Sequence, residues 1–530
     1  MPLAATIATT YPPKEARGKG ANLLLLFSLP VNSKVLVIGG ELEGWSGVFD
    51  DCHFCQDMIP AADTTHRYDM VLYHSGCASS RRQLNLQLKI ISSLVRNDGV
   101  ALFFGRNFFS IATLMKFKEG NLDRLHNQLC IGYKGLSRAV EAIKSPYRRK
   151  FLVLPSLENG DEFVGIGSRY LEIPHYWHYL YHIAHRTCGY QFVSDGSLFV
   201  NLPHAIEEGM LMHAVATHLA AALEINQLDI HLERFDLRLR GAMVLFVTVG
   251  RMGQRYVVRL VSDRKSQVIV SRNQNFLEKL HSLPDVERDI GDLLPRPFCQ
   301  FFYEGCIVFI ESLIVGVPAW KINSLEVRKQ IFFDASQFLI QLLTSTTSLV
   351  CINDEKIGQI YEVDLKCLKK IAPNFLYSKI SYNIHKIKSI LLGRNIFLVF
   401  SHGDYGYGNI LVDSKTGILT GVIDWDTGRT EDLPGIDYMN LLVHKCISEN
   451  GCGLAGAFKK TCGEVLKRGA LDENGIFAAE FQLTGDLLNV VLYSYLIRYM
   501  SRAAQYPDVF AGELDDYCDC FSFLENSVPL

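Results

Sequence analysis

The stretch from Ser401 to Asp426 reads SHGDYGYGNILVDSKTGILTGVIDWD and determines how the chain is interpreted. Asp404 and Asn409 precede a short apolar run, and a Ser-Lys-Thr-Gly turn leads to a second run that ends in Asp424. The pattern predicts a loop, a strand, a turn, a second strand and a closing carboxylate. Phosphoryl transfer requires a carboxylate that orients the acceptor hydroxyl and oxygen ligands that hold Mg²⁺ on the phosphates. We therefore predict Asp404 as the catalytic residue, with Asn409 and Asp424 as the metal ligands.

The segment HGDYGYGN, followed by GVIDWD, resembles the aminoglycoside phosphotransferase and choline kinase superfamily. The catalytic loop of that superfamily reads H-[GN]-D-x-x-x-x-N, and its metal-binding aspartate lies in an I-D-[WF]-[DE] strand end. The resemblance covers about residues 205–530 and implies an α+β, two-lobed, protein-kinase-like fold that uses ATP and Mg²⁺. It further implies that His402 supports the catalytic loop and that Asp437 ties down the start of a helix.

Upstream of the loop, the sequence predicts the small sheet lobe that such a fold needs. Residues 235–263 alternate apolar and polar residues around glycines, which is typical of hairpins, and SRNQNFLEKLHSLP predicts a helix that stops near Pro284. The segment CIVFIESLIVG matches the strand and hinge that receive adenine in the resembled family. Glu311, Leu313 and Gly316 take the positions of the hinge residues.

Two positions depart from the family at the pair that grips the phosphates. Arg259 stands where the family has a strand lysine, and the helix glutamate that pairs with this lysine falls near Asn273, with Glu278 as the only nearby acid. Arginine can clamp phosphate oxygens with two parallel N–H bonds, whereas Asn273 offers only a neutral hydrogen bond. We predict that Arg259 grips the nucleotide phosphates, and a register shifted by a few residues is the alternative.

The first 200 residues predict a separate α/β domain with a doubly wound parallel sheet. The strand run Val35–Ile38 is followed by Gly39 and Gly40, and two further apolar runs flank a helical segment that ends in Asn-Asp-Gly. In order and spacing these elements resemble a class I S-adenosylmethionine-dependent methyltransferase, with antiparallel strands to close the sheet. The resemblance implies that Gly39 and Gly40 approach the cofactor. The usual D-x-G-x-G-x-G turn is V-I-G-G-E-L-E-G here, so a degenerate scaffold domain and a generic dinucleotide fold are the alternatives.

Length and composition agree with three parts, predicted as residues 1–200, 201–315 and 316–530. At 530 residues the prior is roughly three to four units of ~150 residues. A net charge of −3 gives no global attraction to nucleic acid, and no apolar run approaches the ~20 residues that span a bilayer. We predict a cytoplasmic protein with a small-molecule acceptor, no nucleic-acid partner and no integral membrane span.

The cysteines and one histidine cluster offer weaker signals. Fourteen scattered cysteines indicate reduced, buried thiols, and Cys52 with Cys55 forms a C-x-x-C that no second such motif completes. His178, His182 and His185 are spaced one helical turn apart among tyrosines. This spacing favours a half-buried helix face over a metal site.

Together these features predict an ATP- and Mg²⁺-dependent phosphotransferase that acts on a hydroxyl of a sugar, glycan or related metabolite. Two alternatives remain open from the sequence. The first is a non-catalytic pseudokinase scaffold, suggested by Arg259 and Asn273. The second is a bifunctional protein that methylates and phosphorylates one substrate and therefore also binds S-adenosylmethionine.

Overall fold

The computed structural model of the chain describes its regular elements and the segments that connect most of them. The described residues are 26, 29, 32–39, 49, 51–55, 67–74, 81–106, 147–154, 162–165, 196–202, 210–225, 229–237, 242–250, 253–261, 264–371, 374–505 and 513–528. They form two compact units, one of Met1–Ser271 with Pro297–Leu313 and one of Arg272–Arg296 with Ile314–Leu530. The three-part division stays a prediction.

The first unit contains one twelve-stranded sheet among its described residues. Its strands are β1 (Lys34–Ile38), β2 (Asp51–Cys55), β3 (Tyr68–His74), β4 (Val95–Arg106), β5 (Tyr147–Leu154), β6 (Glu162–Gly165), β7 (Gly196–Leu202), β8 (Ile230–Leu237), β9 (Ala242–Val249), β10 (Gln254–Val261), β11 (Pro297–Tyr303) and β12 (Cys306–Ser312). Their spatial order is β11-β12-β10-β9-β8-β6-β5-β7-β4-β3-β1-β2. Two helices of the unit are α1 (Arg81–Leu94) and α2 (Met210–Ala222).

The N-terminal edge of this sheet is parallel, as the alternation of strands and helix predicts. β1 pairs in parallel with β2 and β3, and β3 pairs in parallel with β4 after the crossover through α1. The four residues of β1 from Val35 to Ile38 are all buried, which is typical of strands covered on both faces. The predicted end of the helix at Asn-Asp-Gly is wrong, because α1 ends at Leu94 and residues 97–99 fall within β4.

The rest of the sheet is antiparallel and joins what the sequence predicts as two separate sheets. β7 pairs antiparallel with both β4 and β5, and β6 pairs antiparallel with β8, the first strand of the predicted small lobe. The observed sheet is therefore mixed, and it continues from the predicted N-terminal strands into the strands that the sequence assigns to the small lobe. Such pairing covers strand edges that would otherwise expose unpaired backbone groups.

The second unit is largely helical. Helix α3 (Arg264–Ser282) contains the division between the units, and α4 (Pro284–Ile290) begins at Pro284, where the sequence predicts the stop. The other helices are α5 (Leu325–Thr346), α6 (Asp354–Ile371), α7 (Asn374–Leu391), α8 (Ile436–Asn450), α9 (Leu454–Arg468), α10 (Ile476–Phe481), α11 (Asp486–Gln505) and α12 (Glu513–Ser527). Short 3-10 turns span Gly291–Leu293 and Ala319–Lys321.

Six short strands place the catalytic-loop segment within this unit. They are β13 (Val317–Pro318), β14 (Ser348–Cys351), β15 (Asn395–Ser401), β16 (Ile410–Val412), β17 (Leu419–Val422) and β18 (Arg429–Asp432). β16 and β17 form the predicted hairpin, with Ile410 opposite Val422. The hairpin packs into one apolar core with α5, α8 and α11, and Trp425 is fully buried in it.

Candidate active site

The loop between β15 and β16 is fixed by a buried carboxylate. Asp437, in the first turn of α8, accepts hydrogen bonds from the backbone N–H groups of His402 (2.6 Å) and Gly403 (2.9 Å). Burial raises the pKa of Asp437 to about 7, although both N–H groups favour its charged form. Gly403 has φ 78°, and a side chain there would meet the Thr427 carbonyl oxygen at 2.5 Å. The loop conformation therefore depends on glycine and on Asp437.

His402 is an anchor of the loop. Its Nε2 donates to the Ile423 carbonyl (2.9 Å), and its Nδ1 accepts from the Asp404 backbone N–H (3.2 Å). Burial lowers the pKa of His402, so the ring is neutral. Since both ring nitrogens bind backbone groups, the ring connects the loop to the end of the hairpin.

Asp404 is held by two side chains. Asn409 Nδ2 donates to the Asp404 backbone oxygen (3.0 Å) and to its Oδ2 (2.9 Å), and Arg502 of α11 forms an ion pair with Oδ1. The side chains of Asp404 and Arg502 are 22% and 21% exposed, so both are accessible from solvent. Arg502 carries no signal in the sequence, because it lies 98 residues from Asp404 in an unremarkable helical run.

Asn409 and Asp424 are brought together by the hairpin. The Ile423 N–H donates to the Asn409 carbonyl (3.0 Å), so Asp424 follows directly on a residue that is bound to Asn409. Asp424 has φ 62°, an unusual conformation for a residue with a side chain and one that concentrates at functional sites. Its side chain is half-buried.

These two residues fit Mg²⁺. The Asn409 amide nitrogen faces Asp404, which leaves the amide oxygen as a ligand, and Asp424 supplies a carboxylate. Mg²⁺ commonly binds one or two such protein oxygens together with substrate phosphates and water. Within the described part of the chain, no group of three or more His, Cys, Asp or Glu side chains could hold a metal.

The neighbour of Asp424 is anchored by the residue predicted to pair with Arg259. Asn273 Oδ1 accepts from the Trp425 backbone N–H (2.9 Å), and the Trp425 indole donates to the Val422 carbonyl (2.9 Å). The Trp425 ring also stacks on Phe276 with ring centres 5.8 Å apart. The carboxamide of Asn273 thus supports the strand end that carries Asp424.

Arg259 has an acidic partner that the sequence did not reveal. Arg259 Nε and Nη2 both donate to Glu311 Oε1, at 3.0 and 2.9 Å, from β10 to the neighbouring strand β12. The side chains are 23% and 3% exposed. The cross-strand carboxylate thus supplies an ion pair for Arg259, and a contact between Arg259 and Asn273 stays a prediction from the sequence. Glu311 is predicted from the sequence as a hinge residue, and its side chain serves this pair.

The remaining predicted site residues have the following surroundings. The Leu313 N–H donates to the Arg255 carbonyl (3.1 Å), continuing the sheet one residue past β12. Gly39 follows β1 with φ 121°, and its backbone N–H donates to the Cys55 carbonyl (2.9 Å). Gly40 and the histidine cluster at residues 178–185 lie outside the described residues.

Arg259→Met is expected to destabilise the first unit by about 1–3 kcal/mol, because Glu311 then stays buried without its guanidinium partner. The double variant Arg259→Met/Glu311→Gln should recover part of this loss, since no unpaired charge remains. Denaturant unfolding of the wild type and both variants measures the effect. A double variant less stable than Arg259→Met would contradict the ion pair as the cause.

The part of the chain that matches a known family contains the loop and the hairpin. Residues 391–460 match the phosphotransferase enzyme family, APH. The matched segment contains Asp404, Asn409, Asp424 and Asp437. No curated protein matches the chain.

Solved phosphotransferase structures are similar to the chain at low identity. Aminoglycoside phosphotransferase APH(3'')-Id from Streptomyces rimosus is 15% identical, with 54% of this chain and 98% of that chain covered and a TM-score of 0.32. A putative aminoglycoside phosphotransferase from Ralstonia eutropha is 14% identical (58% and 98% covered, TM-score 0.36). Ethanolamine kinase from Plasmodium vivax is 12% identical (60% and 89% covered, TM-score 0.35). TM-scores of this size do not establish a shared fold, so functional inference depends on the loop residues.

The comparisons give no support to the methyltransferase resemblance of residues 1–200. No helix among the described residues is long and apolar enough to cross a membrane.

Proposed function

We propose that the protein is an ATP- and Mg²⁺-dependent phosphotransferase that phosphorylates a hydroxyl of a small molecule such as a sugar or related metabolite. The observation that carries the proposal is the hydrogen-bonded group of Asp404, Asn409 and the 423–424 strand end, within the segment that matches the phosphotransferase family. Three further statements remain predictions from the sequence. They are that the acceptor is a small molecule, that the protein has no nucleic-acid partner, and that it is cytoplasmic.

Asp404 is proposed to orient the acceptor and take its proton. The acceptor oxygen attacks the γ-phosphorus in line, the bond to the ADP oxygen breaks, and the hydroxyl proton passes to the Asp404 carboxylate. Asn409 holds one carboxylate oxygen through its amide N–H, and Arg502 holds the other. Because both contacts restrict rotation, the carboxylate is positioned before the acceptor binds.

Asn409 and Asp424 would hold Mg²⁺, which when bound neutralises charge on the nucleotide phosphates. Asp424 is kept in place by its anchored neighbours Ile423 and Trp425. Arg259, in the proposed role, grips nucleotide phosphate oxygens. Glu311, Leu313 and Gly316 remain the proposed adenine hinge.

A titration with ATP tests the proposal. The wild type should bind ATP more tightly with Mg²⁺ than without it, and Asp424→Asn should weaken Mg-ATP binding at least about tenfold, since even changes around metal ligands cost this much. Glu431→Gln is the matched control, because Glu431 is a half-exposed acid of the same unit whose partner is Lys356. Isothermal calorimetry measures all three proteins.

Two results would count against the proposal: ATP binding that ignores Mg²⁺, or an Asp424→Asn variant that binds as the wild type does. Absence of nucleotide binding would favour the second candidate, a non-catalytic pseudokinase scaffold. The observation that favours this candidate is that two residues proposed for the site are already ion-paired. Glu311 is paired with Arg259, and Asp404 is paired with Arg502.

A bifunctional protein that also binds S-adenosylmethionine remains a prediction. The feature that favours it is Gly39, which follows the first parallel strand in a left-handed conformation that lets backbone approach a ligand.

A further inference from the structure

We propose that Arg502 selects an acceptor with an anionic group, a carboxylate or a phosphate monoester, near the hydroxyl that is phosphorylated. The inference depends on the proposed function, because it takes Asp404 as the residue that receives the acceptor. It names the class of substrate, which the sequence left open.

The first argument is position. Arg502 Nη1 is paired with Asp404 Oδ1, and both side chains are about one-fifth exposed. An acceptor whose hydroxyl reaches Asp404 therefore meets the guanidinium at the same time. Guanidinium groups bind carboxylate and phosphate oxygens through parallel N–H bonds, which fixes the orientation of the bound anion.

The second argument is the charge of the surrounding helices. Tyr499, one turn before Arg502 on α11, lies with its ring 5.8 Å from the guanidinium carbon. His444 of α8 packs against the loop at Gly406, and burial lowers its pKa, so its ring is neutral. Tyr517 of α12 also lies within electrostatic reach of Arg502. Tyr499 and His444 are therefore neutral, whereas α12 carries Asp516 and Asp519 beside Tyr517, and Asp519 is paired with Lys459.

The third argument concerns acids that could attract a cation. The only acid of α11 is Asp486, its first residue, four turns before Arg502. Asp437 of α8 already accepts two backbone N–H groups. Asp364 and Asp432 are paired with Arg498. An ammonium group placed beside Asp404 would thus meet the Arg502 cation, and like charges at this distance repel.

A buried hydroxyl near the pair gives an additional polar group. Tyr499 is 3% exposed, and its hydroxyl has no hydrogen-bond partner among the described residues. Burial raises the pKa of Tyr499, and the negative charge of Asp404 raises it further. The hydroxyl is therefore neutral and able to donate. A buried donor without a partner is costly, and a water or an acceptor oxygen at the site would satisfy it.

The test compares matched sugars on the full-length protein. The probes are glucose 6-phosphate, glucuronate, glucose and glucosamine, which share a ring and differ in charge. ATP consumption with Mg²⁺ is followed against the concentration of each probe, after Mg-ATP binding has been measured by calorimetry. We expect one or both anionic sugars to have a KM at least about tenfold below that of glucose, and glucosamine to be the poorest acceptor. The two anionic probes distinguish a carboxylate from a phosphate.

Substitution at Arg502 separates selection from simple positioning of Asp404. Arg502→Gln should raise the KM of the anionic sugar at least about tenfold more than it raises the KM of glucose, because only the anion loses a charged partner. Arg502→Lys should keep part of the preference. Arg468→Gln is the matched control, since Arg468 is a partly exposed arginine of α9 in the same unit.

The outcomes are distinguishable. Preference for glucosamine, equal use of all four sugars, use of none of them, or an Arg502→Gln variant that changes KM by the same factor for every sugar would overturn the inference while Mg-ATP binding still supports the proposed function. Absence of Mg-dependent ATP binding would overturn both.

Discussion

Asp404→Asn is expected to lower phosphoryl transfer by about 10²- to 10⁴-fold, the range in which proton transfer by a positioned side chain contributes to catalysis. The carboxamide has nearly the shape of the carboxylate and can still accept from Asn409 Nδ2. It cannot take the proton of the acceptor hydroxyl at neutral pH. The loss should therefore fall on transfer and leave the affinity for Mg-ATP within a few-fold of the wild type.

The measurement is transfer of the γ-phosphate in a single turnover, beside calorimetric titration with Mg-ATP. Asp413→Asn is the matched control, because Asp413 lies in the exposed turn of the same hairpin and its Oδ1 accepts from the Lys415 and Thr416 N–H groups, as asparagine also can. Transfer should be unchanged in the control. Unchanged transfer in Asp404→Asn would remove Asp404 from the role of base.

Arg498→Met should have the largest effect on stability, about 3–5 kcal/mol, the cost of leaving buried charges without their partner. Arg498 pairs with Asp364 and Asp432, whose side chains are 1% and 0% exposed. Asp364 retains its ion pair with Arg429 in the variant, whereas Asp432 loses its ion pair and retains hydrogen bonds from Ser401 and the Leu433 backbone N–H, with Arg429 acting on it electrostatically. Because Ser401 directly precedes the catalytic loop, we also expect weaker protection of that loop from hydrogen exchange.

The pH dependence of this variant checks the cause. Burial raises the pKa of Asp432 to about 6, above the ordinary value near 4, even with the arginines nearby. A carboxyl with a raised pKa in the folded state holds its proton better there than in the unfolded chain. The stability that Asp432 contributes by holding this proton is therefore present at low pH, and it is lost as the pH rises through the pKa of Asp432 in the folded state.

We accordingly expect the gap in stability between wild type and Arg498→Met to be smaller at pH 5 than at pH 8. Denaturant unfolding at both pH values measures the gap, with Arg468→Met as the control for loss of a less buried arginine. A gap that is independent of pH would indicate that lost packing, and not unpaired carboxylates, causes the destabilisation.

The sequence was most informative where chemistry and local structure coincide. Asp404, Asn409 and Asp424 lie within one segment of loop, strand, turn and strand, and the alternation of its residues is sufficient to predict the hairpin. The stop of α3 before Pro284 and the parallel pairing of β1, β3 and β4 follow from equally local signals. Such signals act between residues close in the chain, so one sequence contains them.

Only the tertiary structure decided which distant groups meet. Glu311 stands 52 residues from Arg259 and Arg502 stands 98 residues from Asp404, and neither spacing has a periodicity that could predict the contact. The two predicted sheets are joined by the pairing of β6 with β8. This is likewise one of several pairings that exposed strand edges would allow. The sequence alone therefore determined which side chains the loop and hairpin carry. Long-range packing determined which charges surround it, because ion pairs between elements depend on where whole helices and strands come to lie.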